Sequence, residues 1–150
     1  MKQMFVFVLM VMLAVPAYTQ EPLDPLFLRG RWGGRIEEKA GVDKAGKDVY
    51  KPPYEMSWSV VRLVEGEHAA SATYPGTHCT SEFTFVHYLE ETFVFLEVST
   101  SKPRCGHSTL RVKFIERNKA HVEFWSPGAR IPAAKGILRR IVPVEKPIGQ

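Results

Sequence analysis

The chain has 150 residues, 24% of them charged and 45% hydrophobic, with a formal net charge of +4. Its 20 basic residues are interspersed with 16 acidic ones, which excludes the dense basic stripe that nucleic-acid binding requires. Lys135 with Arg139 and Arg140, and the looser group Arg29, Arg31 and Arg35, are accounted for by a mixed solvated surface.

In chain order, Lys2 precedes an unbroken apolar run over residues 4–15, and Val15-Pro16-Ala17 follows. A basic start, a short apolar core and small residues at the cleavage positions predict a secretory signal peptide over residues 1–17, with Thr19 as a second cleavage site. The run is too short to span a bilayer, so no membrane span is expected after cleavage. Residues 18–26 read as a polar leader, 27–142 as one domain and 143–150 as a flexible tail. Export places the chain in the periplasm or outside the cell. The two cysteines, Cys79 and Cys105, would there form a disulfide. Closing a loop of about 27 residues contributes roughly 3.5 kcal/mol through chain entropy.

The domain reads as short strands separated by turn residues: 27–36, 54–64, 69–74, 81–88, 92–99, 108–116, 119–126 and 134–142. A charged loop with glycines and a double proline occupies 41–53. The evidence is alternation with period two. Phe83 and Phe85 share one face, as do Leu110, Val112 and Phe114, and Ala120, Val122 and Phe124. Short turns such as Glu65-Gly66-Glu67, Glu90-Glu91 and Arg117-Asn118 suit hairpins. An open sheet of eight strands would expose unpaired edges, and closure removes them. The expected fold is therefore all-β: a small antiparallel up-and-down barrel of about eight strands, with a two-sheet sandwich as the alternative.

Closure explains the glycines around Trp32. Gly30, Gly33 and Gly34 let a first strand curve strongly, so that Trp32 points inward and plugs one end. The last strand must pair with it, and Arg140 is placed to stack on the indole and hydrogen-bond free carbonyls.

A Gly-x-Trp first strand with a late arginine resembles the calycin arrangement of lipocalins and related barrels. The order of motifs is similar to a group of small secreted bacterial β-barrel domains of unassigned function. The matching residues are Gly30-Arg31-Trp32-Gly33-Gly34, Tyr54, Tyr74 with Cys79, Phe95-Leu96-Glu97, Cys105-Gly106, Phe124-Trp125, and Ala134-x-Gly136-x-Leu138-x-Arg140. The match covers nearly the whole mature chain, although the loop before Tyr54 is long. The resemblance implies a calycin-like barrel and the disulfide, and transfers no activity.

Three constellations carry candidate chemistry. His78-Cys79 with Cys105-Gly106-His107 could be drawn as a zinc site, but export favours the disulfide, and no metal or cofactor is expected. Glu97 shares a face with Phe93 and Phe95. If that face is interior, its carboxylate needs a partner, and Arg104, Arg140 or a tyrosine hydroxyl could supply one; it would then serve as a general acid or a ligand anchor, against a structural ion pair at the barrel mouth or simply an outward face. Tyr50, Tyr54, Trp58, Tyr74 and Trp125 suggest an aromatic rim suited to a ligand or protein contact, against ordinary core packing, which better suits Trp58. His87 and His121 lie on strands without a motif that would make them catalytic. No catalytic residue is assigned, since the common hydrolase, phosphate-loop and dinucleotide fingerprints are missing from the sequence.

These readings rank a non-catalytic exported binding module first. It would engage a protein or cell-envelope glycan through loops 41–53 and 127–132. A carrier of a small apolar ligand, an inhibitor of an envelope-attacking enzyme, and a hydrolase using Glu97 with a histidine are the alternatives.

Overall fold

The computed structural model describes residues 25–101 and 108–141. A 3-10 turn, Pro25–Leu28, leads into nine strands: β1 (Gly30–Val42), β2 (Asp48–Tyr50), β3 (Tyr54–Val60), β4 (His68–Tyr74), β5 (Cys79–Leu89), β6 (Thr92–Ser99), β7 (Thr109–Glu116), β8 (Lys119–Trp125) and β9 (Ala134–Arg140). From β3 to β9 each strand pairs with the next, and β1 pairs with both β3 and β9. Eight strands thus close into an antiparallel barrel, leaving no edge between first and last.

The seam runs from Trp32↔Arg140 through Gly34↔Leu138 and Ile36↔Gly136 to Glu38↔Ala134. Two glycines are required there by space. A Cβ on Gly34 would collide with the carbonyl oxygen of Ile137, and one on Gly136 with that of Arg35. Gly30 has a different reason: its φ of 121° is one that side chains with a Cβ rarely adopt.

Two expectations are revised. The stretch 41–53 is not simply a loop, because β2 folds back on the far end of β1 through Lys39↔Tyr50, Gly41↔Val49 and Val42↔Asp48. Asp43 makes the turn: its side chain accepts from the backbone N–H groups of Ala45 and Lys47, at 2.9 Å each, and Gly46 supplies a positive φ. The second difference is at β3, which ends at Val60. The amides of Val61 and Arg62 both turn to the carbonyl of Ala69, which breaks the regular ladder.

Alternation places the core inside. Trp32, Trp58, Phe83, Phe93 and Phe95 are among its largest fully buried side chains. Their rings form a continuous path with Phe85 and Phe114, at centroid separations of 5.3–6.5 Å, within the range where aromatic pairs attract. A β-bulge between Phe85 and His87 interrupts period two on β5. It leaves Val86 and His87 both exposed and turns Tyr88 against Phe93, with ring centroids 4.5 Å apart.

Candidate functional site

The two ends of the barrel differ. At the end where β1 starts, the chain itself is the stopper. Trp32 Nε1 donates to the carbonyl of Leu28 at 2.8 Å, which draws the 3-10 turn over the opening. The guanidinium of Arg140 lies 4.6 Å from the centroid of the Trp32 ring. Its Nη1 donates to the carbonyl of Arg29 at 2.7 Å and its Nη2 to that of Phe27. Burial, then the neighbouring Arg117, lowers the Arg140 pKa. Gly30, Trp32 and Arg140 therefore meet in one closing structure, in which a cation stacks on an indole and ties down the carbonyls of Phe27 and Arg29 just ahead of β1.

The opposite end holds a cavity of about 550 Å³. It is flanked by the start of β3, the end of β4, the starts of β5 and β9, and the ends of β6 and β8. Glu97 lies on its wall, 7% exposed. Period two along β6 turns Phe93, Phe95 and Glu97 inward together, so a charged residue stands at a core position. The Tyr74 hydroxyl donates to Glu97 Oε1 at 2.8 Å, and Ser108 Oγ donates to Oε2. Ser108 is held opposite by the backbone, since the amide of Glu97 donates to the carbonyl of Ser108 at 2.8 Å.

Tyr54 also lines the cavity, with its ring edge-on to Tyr74 at 5.8 Å. Burial raises the Tyr54 hydroxyl pKa to about 12, helped by the carboxylates of Glu38 and Glu97. Burial pushes Tyr74 up further, and Glu97 adds to it. Both phenols thus stay protonated and act as neutral donors. At the rim, Lys51 Nζ pairs with Glu38 at 2.6 Å. Phe124, Ala134 and Pro52 supply apolar wall.

The structure divides the other residues singled out from the sequence. Cys79 lines the cavity. Cys105 and Arg104 lie outside the described residues, as does His107. Trp125 is not on the rim. It sits half-buried on the outer face, 4.4 Å from the Arg111 guanidinium, and donates through Nε1 to Glu123 at 3.0 Å. The alternation that turns Phe124 inward turns Trp125 outward. Tyr50 lies on β2 with Lys135 5.9 Å from its ring, and Trp58 is core. Among the described residues, Glu97 meets a tyrosine and a serine, whereas His68 pairs with Glu82 on exposed surface. No group of three or more His, Cys, Asp or Glu side chains there could hold a metal ion.

Sequence reasoning missed Ser108, Lys51 and Glu38. Ser108 was within reach, because the inward face of Leu110 and Val112 extends back two residues to it. Lys51 and Glu38 depend on how β2 returns along β1, which alternation does not encode. Comparison with family models, curated proteins and solved structures gave no match.

Proposed function

We propose that the chain is an exported, non-catalytic binding module of calycin-like type whose open barrel end receives a small amphiphilic molecule. The observation carrying this reading is the cavity of about 550 Å³, a size typical of small-molecule sites. Tyr74 and Ser108 converge on Glu97 at one part of the wall, the Glu38–Lys51 pair stands at the rim, and Pro52, Phe124 and Ala134 supply apolar wall. Among the described residues Glu97 is hydrogen-bonded by Tyr74 and Ser108 and by no histidine, which favours binding over hydrolysis by Glu97 with a histidine. A Cys79–Cys105 disulfide would pin the β6–β7 connection beside the mouth; thiol titration of the denatured, unreduced protein would then find no free thiol.

The test uses N-phenyl-1-naphthylamine, a neutral fluorophore that brightens in apolar surroundings. The folded protein is expected to bind one equivalent. Ala134→Trp, which fills the cavity wall, is expected to abolish the signal while leaving the far-ultraviolet spectrum unchanged. A wild-type protein that takes up no fluorophore would overturn the reading.

A second reading has one observation in its favour. Val86, Leu96 and Val98 are 41–49% exposed on the outward faces of β5 and β6, as a surface engaging a protein or envelope component would require. Capture of an envelope component that Leu96→Lys no longer retains would support it, and capture unchanged by that substitution would reject it.

A further inference from the structure

We propose that the ligand head is an organic ammonium, seated against Glu97 at the inner wall of the cavity, with its apolar chain along Tyr54, Phe124 and Ala134. This rests on the ligand-binding reading above and narrows it to a chemical class.

The argument begins with the cost of Glu97. A buried carboxylate is unfavourable unless it is hydrogen-bonded and paired. Tyr74 and Ser108 each give one hydrogen bond, one per oxygen. An ionised carboxylate has about four acceptor sites, so each oxygen keeps capacity for another donor. Both donors are neutral. Among the described residues no Lys, Arg or His side chain forms an ion pair with Glu97, and Lys51 is engaged by Glu38.

The cavity wall described therefore carries two carboxylates and one ammonium, an excess of negative charge that a cationic head would neutralise. An ammonium offers up to three donors, and charge-assisted hydrogen bonds are about twice as strong as neutral ones. Tyr54 and Tyr74, both on the wall, add ring electron density that attracts cations. A carboxylate head would instead meet Glu97 as a like charge, and an alcohol would gain only a neutral hydrogen bond. Burial is the first cause of the upward displacement of the Tyr54 hydroxyl, and the carboxylates of Glu38 and Glu97 add to it; only that carboxylate part has the sense that favours a cation.

Decylammonium, decanol and decanoate, titrated below their micelle thresholds by displacement of the fluorophore, separate the possibilities. Decylammonium is expected to bind about tenfold tighter than decanol, with decanoate weakest. Glu97→Gln should remove that advantage and leave decanol unchanged. The three-head comparison on the wild-type protein needs no substitution, so it stands even if Glu97→Gln fails to fold. Decanol or decanoate binding as tightly as the amine would overturn the ammonium assignment while leaving the ligand site intact. If the fluorophore binds but no decyl compound displaces it, the assignment also fails. If the fluorophore itself does not bind, the ligand-binding reading fails first.

Discussion

The two ends of this barrel are built from the same strands by the same alternation, yet one is filled and the other hollow. At the filled end the inward positions hold Trp32, Phe93 and Phe114, and the 3-10 turn with Arg140 covers them. At the hollow end the corresponding positions hold Tyr54, Tyr74, Glu97 and Ala134. The connections differ too. Turns as short as Glu90-Glu91 and Arg117-Asn118 close the first end, whereas the β1–β2 hairpin and the long β8–β9 connection stand around the second. On the proposed reading, stability and binding are segregated along the barrel axis. Large apolar rings and a chain-supplied plug hold the fold at one end. The other end carries the buried carboxylate of Glu97, whose desolvation cost is offset by its hydrogen bonds and by the large apolar core on the barrel's other side.

Removing the plug should give the largest effect. Trp32→Ala deletes a fully buried ring that contacts Phe114, stacks under Arg140 and holds the 3-10 turn. A loss of about 3–5 kcal/mol is expected from the cavity and transfer terms, read by urea unfolding. Ala134→Trp, at the hollow end, should shift the same unfolding curve far less, because the new ring enters existing space. Equal losses at both ends would dissolve the comparison.

A smaller effect is expected from Arg140→Met, which preserves much of the side-chain volume over Trp32 but loses the donors to Phe27 and Arg29. Charge-assisted hydrogen bonds of this kind contribute about 1.5–3 kcal/mol each. One of the two is exposed to solvent and the other part-buried, which brings the expected total loss to about 2 kcal/mol. Ligand affinity at the far end should be unchanged in this variant. A change in fluorophore binding would show that the two ends are coupled.

The filled end was the more legible in sequence, and the reason is physical. Glycines beside a tryptophan, and small residues before Arg140, are constraints of close approach, and they act through the backbone. Period two located the strands, since every inward position from Leu110 to Phe124 follows it. It failed where the backbone breaks the period. The bulge after Phe85 sends His87 outward and Tyr88 against the core. At the hollow end, alternation turns Glu97 inward but cannot name Ser108 and Tyr74 as its donors, because those contacts depend on register across three strand pairs. The assignment of Trp125 to an aromatic rim fails for the opposite reason: strict alternation from Phe124 already faces it outward. The β2 hairpin was hidden because three exposed residues leave no hydrophobic signature.

The smallest effect concerns alkaline pH and isolates the hollow end. The Tyr54 hydroxyl rises from 10.0 to about 12 on folding, first through burial and then through Glu38 and Glu97. Between these values the unfolded chain has lost this proton while the folded chain keeps it. The unfolded state therefore binds fewer protons, and stability falls as pH rises. The contribution is fully present below pH 10 and lost as pH approaches about 12. Tyr54→Phe removes the titrating group, so its unfolding midpoint should fall less steeply across that window than the wild-type midpoint. Tyr50→Phe, on exposed β2, serves as the control and should leave the slope alone. If the Tyr54 and Tyr50 variants show the same slope as the wild type, the hollow end does not resist ionisation of its wall, and the negative field assigned to Glu38 and Glu97 loses its support.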